Sequence, residues 1–142
     1  MQAKFGQILC SAPTHVAVDN FASRLDQITR SIAEEYNKGK KADNLSRLRH
    51  RFVLRVFSPS NELNALCGLL EKPDAIDAAG KTGYWSAESR WKLPLSLAYW
   101  FLVLFRSKAV PPLHPDASLA LHKLQKEYDD NASFSNLRDV SV

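Results

Sequence analysis

Gln7-Ile8-Leu9-Cys10-Ser11-Ala12-Pro13-Thr14-His15-Val16-Ala17-Val18-Asp19-Asn20-Phe21-Ala22-Ser23-Arg24 passes from a short apolar run into a Pro-Thr-His turn and then, at once, into a helical pattern. Gln7 to Ala12 reads as a buried strand broken by Pro13. From Val18 the apolar positions are Val18, Phe21, Leu25, Ile28 and Ile32, a spacing of three and four residues that draws one stripe down a helix. Thr14 is placed to cap that helix and Gly39 to stop it. Phe52 to Phe57 is rich in β-branched and aromatic residues and ends at Ser58-Pro59. Apolar on both faces apart from Arg55, it predicts a second strand of the kind found in parallel sheets.

Further along, Leu63, Leu66 and Leu70 mark a short helix that stops at Lys72-Pro73, and residues Asp74 to Arg90 read as a loop. Pro94 suits the first turn of a helix over about Leu93 to Ser107, apolar nearly all round and so expected to be enclosed. Asp116 is placed to cap a last helix whose inner side carries Leu121, Leu124 and Tyr128, followed by a polar tail over 129–142. There is no internal repeat. Strand, helix, strand, helix and then more helix predicts an α/β fold with parallel neighbours joined by a right-handed crossover.

At 142 residues the chain has room for one domain, and its 45% hydrophobic and 24% charged content is that of an ordinary globular protein. Collagenous, low-complexity and wholly disordered classes are excluded. Cys10 and Cys67 are too few for a disulfide scaffold and have no metal-ligand spacing, which favours an intracellular, reducing compartment. The longest apolar stretch, Leu93 to Phe105, is 13 residues, short of the roughly 20 that a membrane span needs. No secretory leader pattern is visible, so no membrane partner is expected. Charge is uneven. Lys38, Lys40, Lys41, Arg47, Arg49, Arg51 and Arg55 face only Asp43, giving that window +6 in a chain of net +4. Such a cluster attracts polyanions, although on the charge run alone a solvated loop and helix face is the favoured reading.

In an α/β fold the turn at Pro13-Thr14-His15 places free helix N–H groups and the Thr14 hydroxyl at the carboxyl edge of the sheet. That edge suits a phosphate or sugar contact, while the bland alternative is that Thr14 simply caps its helix. The string Ala12-Pro13-Thr14-His15-Val16-Ala17-Val18-Asp19-Asn20 behind an apolar run resembles motif Ia of the superfamily-1 helicases, nearest the branch of the nonsense-mediated-decay RNA helicases. The resemblance implies a partial RecA-like domain of the P-loop NTPase type over 1–128, with Pro13 and Thr14 approaching the phosphate backbone of single-stranded RNA or DNA. Asp19 and Asn20 would buttress the turn, and His15 stands where the family most often has Asn. Phe52 to Phe57 is similar to the family's next strand, and Gly83-Tyr84-Trp85 to Ser107 to a fungal-type branch.

An ATP-driven motor also needs a phosphate loop, a magnesium-binding carboxylate pair and a second RecA-like domain. Six residues precede the first apolar run, and Asp129-Asp130 sits in a polar tail rather than at a strand end. Ala75 to Thr82 matches only the loosest phosphate-loop pattern: Glu71-Lys72-Pro73-Asp74 before it is no buried strand, and Asp77 would repel phosphate. The chain therefore reads as an inactive helicase fragment with no catalytic residue, no metal ligand and no cofactor of its own, ATP and Mg2+ belonging to the intact parent. Its expected partners are a single strand of RNA or DNA, held by Pro13, Thr14, His15, Arg47, Arg49 and Arg51, and the remainder of the motor. A self-sufficient module that binds nucleic acid or protein without enzymatic activity is the alternative. His15, His50, His114 and His122 share no metal-ligand spacing. Trp85, Trp91 and Trp100 could stack on bases but are better placed for packing. A two-stranded remnant of a sheet is expected to leave a large apolar surface uncovered.

Overall fold

The computed structural model describes residues 7–71, 91, 93–131 and 133. Four helices organise them: α1 (His15–Asn37), α2 (Pro59–Glu71), α3 (Leu97–Leu104) and α4 (Leu119–Asp130). Among the described residues there is no strand and no sheet. The predicted parallel α/β, RecA-like core is therefore corrected to an all-helical one.

The physical reason lies in where the two strand candidates send their backbone groups. Phe52 to Phe57 is extended, with Val53 and Arg55 turned inward and Phe52, Leu54 and Val56 outward. A strand, however, needs a neighbour with a matching ladder. Here Arg55 N–H donates to the Leu95 carbonyl at 2.8 Å, and the Val53 carbonyl accepts from the Trp100 indole at 3.0 Å. Just upstream, His50 N–H donates to the Asp116 carbonyl at 2.8 Å. These partners sit on different loops and a side chain, so the segment is held one group at a time. Gln7 to Ala12 has no such partners among the described residues, and Ile8, Leu9 and Cys10 lie exposed. Three apolar residues do not stay buried once no second strand meets them.

α1 begins and ends as its sequence predicts. The Thr14 hydroxyl accepts from Ala17 N–H at 3.1 Å as the N-cap, and Gly39 takes a left-handed φ of +75° just past the end. Residues 38–46 then reverse the chain, and 47–57 runs back beside α1. Asn37 clamps Leu48 near one end, and Arg55 meets Asp19 near the other.

The core gathers around α3, which packs against α2 on one side and α4 on the other. Trp91, Leu95, Trp100, Leu102, Val103 and Leu104 meet Ala65 and Leu69 of α2, Leu121 of α4 and Val53. Both tryptophans within the described residues pack inside, as expected; Trp85 lies outside them. α3 is shorter than the predicted Leu93 to Ser107. Pro94 and Leu95 form a turn, Leu95 has φ +56°, and the Ser96 hydroxyl caps the helix by accepting from Tyr99 N–H. The Glu62 carboxylate of α2 accepts from Leu97 and Ala98 N–H, so a second helix supplies another cap and a negative charge at the α3 N-terminus. At the other end Arg106 turns left-handed at φ +58° and forks Asp129 of α4. Leu97 and Phe101 remain exposed, so the helix is enclosed on most of its surface but not all. The predicted Asp116 cap of α4 is not formed; Ser118 holds that position and Asp116 is engaged elsewhere. The Ala75 to Thr82 stretch and most of the tail lie outside the described residues.

Candidate functional site

Where 47–57 meets the 114–117 loop, four polar side chains converge in the interior. The Arg47 guanidinium forks the Asp116 carboxylate, Nε to Oδ1 at 2.7 Å and Nη2 to Oδ2 at 2.5 Å, and its Nη1 donates to the Lys40 carbonyl. That fork holds the Asp116 carboxyl down to about 2, well below the usual carboxylate range, so it is ionised at neutral pH. His50 lies beside it, 6% exposed, and its ring stacks on His114 with centroids 4.5 Å apart. Burial, then Arg30 and His114, push the His50 imidazole below its ordinary value. Neither His50 ring nitrogen has a hydrogen-bond partner among the described residues. His114 is half-buried, and its Nδ1 accepts from Asp116 N–H at 3.0 Å.

His114 also lines a cavity of about 210 Å3 with Asp26, Arg30, Tyr99, Trp100 and Pro112. Asp26 is buried on the inner face of α1 and pairs with Arg30 at 2.8 Å. Burial raises the Tyr99 phenol, keeping it protonated. Two imidazoles and a carboxylate, their ligating atoms within 4.8 Å of one another, are a donor set for a divalent ion. Neither imidazole hydrogen-bonds a Ser, Thr or Cys among the described residues, so no base–nucleophile pair is built there.

Spacing alone concealed this cluster. His50 and His114 are 64 positions apart, and it takes the His50 N–H to Asp116 carbonyl bond, the Arg47–Asp116 fork and the Arg49 bond to the Pro115 carbonyl to bring them together. The one hint in the sequence was an Asp two residues after a His in a Pro-rich loop.

The residues expected to hold a nucleic-acid strand are dispersed. Pro13 and Thr14 are exposed at the start of α1, where the Thr14 hydroxyl serves as cap, and His15 is exposed as its first residue. Arg47 and Arg49 lie near the opposite end, separated by most of a 23-residue helix, about 34 Å long. Arg47 is spent on Asp116 and Lys40, and Arg49 donates to the Pro115 carbonyl at 2.6 Å. Arg51 is exposed. Elsewhere in the basic window, Lys38 pairs with Glu35, Lys40 sits over the Tyr36 ring, and Arg55 pairs with Asp19 and donates to the Val56 carbonyl. Much of the positive charge is thus used to bind the chain to itself.

A second candidate surface is the outer side of α1. Its inward face is Ala22, Asp26, Ala33 and Asn37, small or polar residues that allow close approach. Of the apolar stripe predicted from the sequence, about a third of a turn away, Val18 is half-buried and the rest is left open: Phe21 is 51% exposed, Leu25 38%, Ile28 42% and Ile32 55%. No described helix is long and apolar enough to cross a membrane. No family model, curated protein or solved structure matches the chain.

Proposed function

We propose that the chain is an interaction module without enzymatic activity that assembles through the outer face of α1, a second copy supplying the opposing helix. The observation that carries this reading is the exposed stripe Phe21, Leu25, Ile28 and Ile32. Its alternating spacing of four and three is that of a left-handed coiled-coil seam. The stripe is also self-complementary. Antiparallel pairing about a two-fold sets Phe21 against Ile32 and Leu25 against Ile28, giving an isologous contact. Arg24, the one charge flanking those central layers, then faces the Thr29 to Ser31 side of the other helix rather than its own copy. Single-strand binding of the helicase type has less support, because the sheet edge that would present Pro13 and Thr14 is absent among the described residues and Arg47 and Arg49 are engaged internally.

A seam of a few layers makes a small interface, so association on the order of micromolar is expected. Sedimentation of the chain over a wide concentration range tests it. The reading requires a reversible monomer–dimer equilibrium that Ile28→Glu abolishes while the far-ultraviolet circular dichroism stays unchanged. A chain that is monomeric throughout, or a dimer that survives Ile28→Glu, overturns it.

A further inference from the structure

We propose that His50, His114 and Asp116 form a binding site for a single divalent transition ion of the zinc class. Three observations carry it. The ligating atoms of the three residues already lie within 4.8 Å of one another. Both ring nitrogens of His50 are buried without a hydrogen-bond partner among the described residues, in a residue 6% exposed. Buried polar atoms are nearly always satisfied, and leaving one orphaned destabilises the fold; an ion on one nitrogen removes part of that cost. Third, the carboxylate is held in place from outside by the Arg47 fork and anchored by its own backbone, since the Asp116 carbonyl accepts from His50 N–H. Ligands oriented by a further hydrogen bond are the usual construction of a metal site.

Magnitudes decide whether the arrangement can close. With bonds near 2.0 Å, tetrahedral ligation sets donors about 3.3 Å apart, so atoms now up to 4.8 Å apart must draw in by up to about 1.5 Å. His114 is half-buried and borders the cavity, which leaves it room to move. Its Nδ1 now accepts from Asp116 N–H, and in a neutral ring its Nε2 then carries the proton. Ligation by either nitrogen gives up that one hydrogen bond. Against that single bond stands the coordination of the ion, and metal binding adds directly to folding stability. Arg47 works the other way. Its charge occupies one lone pair on each carboxylate oxygen and repels the ion, which places the site below the tightest structural zinc sites. Three protein ligands leave a fourth position for water, as in open zinc sites.

The test uses the full chain stripped with a chelator and titrated with Co2+, then with Zn2+ in competition. One ion per chain is expected, with a Co2+ ligand-field spectrum of nitrogen–oxygen type. His114→Gln should weaken binding at least tenfold, as should His50→Gln, whereas His15→Gln and His122→Gln leave it unchanged. Should His50→Gln fail to fold, imidazole nitrogen resonances of the unmutated chain answer the same question, because Zn2+ must shift those of His50 and His114 and spare those of His15 and His122. Absence of saturable binding, or binding that survives His114→Gln at full strength, overturns the site.

Discussion

Asn37 is the side chain on which the reversal of the chain after α1 depends. Buried at the last position of the helix, it donates to the Leu48 carbonyl at 2.9 Å and accepts from Leu48 N–H at 2.7 Å. One amide thus satisfies both backbone groups of a residue that has left regular structure. Asn37→Ala removes both bonds and should cost about 2 kcal/mol, read as a lower urea midpoint with an unchanged slope. The Arg47–Asp116 fork acts 69 positions apart and ties the same region to the loop before α4. Asp116→Asn keeps the shape and loses the charge; the expected result is a thermal midpoint lowered by several degrees, measured at neutral pH. Neither partner was legible in the sequence. Arg47 looked like one of a row of surface cations and Asp116 like a helix cap, because charge counts say nothing about which opposite charge will lie within reach.

At the scale of elements, α1 separates what periodicity reveals from what it conceals. Its caps are local chemistry and were readable: Thr14 precedes the first turn, and Gly39 follows the last at a φ that favours glycine. Thr14→Ala should cost about 1 kcal/mol of stability, and a urea titration of the variant would check it. The periodic stripe was readable too, but its destination was not. Phe21, Leu25, Ile28 and Ile32 draw the eye as a core face, yet the helix is seated on Ala22, Asp26, Ala33 and Asn37. Small side chains let the backbone approach, and Asn37 has its partner on 47–57. α3 errs in the other direction. Its pattern extended from Leu93 to Ser107, but the Ser96 and Glu62 caps at one end and the left-handed Arg106 at the other confine it to eight residues. α2 carries the predicted Leu63, Leu66 and Leu70 and begins a turn before them, at Pro59.

For the molecule as a whole, the buried ionisable cluster makes stability depend on pH in two separate windows. His50 titrates below its ordinary value when folded, with Arg30, His114, Asp116 and Asp26 around it. The unfolded chain therefore binds its proton first, near pH 6.5, and stability falls as pH drops through that value towards the lower folded one. Asp116 behaves as a depressed carboxylate: its contribution is complete above the unfolded value near 3.9 and is lost as pH falls towards about 2. Thermal midpoints recorded in chelator should decline first as pH falls below about 6.5 and again below about pH 4. His50→Gln should flatten the first decline and leave the second. A single decline confined to the lower window would show that His50 is solvated rather than enclosed.

The amino-acid sequence by itself determined the elements whose causes are local. The Thr14 and Gly39 ends of α1, the helix through Leu63, Leu66 and Leu70, the alternating burial of Phe52 to Phe57, and the burial of Trp91 and Trp100 all follow from capping, propensity and apolar content within a few residues. Tertiary structure decided everything that depends on a partner distant in the chain. Phe52 to Phe57 is extended in either fold, but whether it becomes a strand depends on a neighbour, and the groups that meet it are the Leu95 carbonyl and the Trp100 indole instead of a second ladder. The same dependence brought His50 to His114 across 64 positions, turned Arg47 from a surface cation into an internal clamp, and left the α1 stripe facing outward. Local preferences are set by each residue's own backbone and neighbours. Pairing is set by which distant surfaces fit with their polar groups satisfied, and periodicity along one segment does not contain that information.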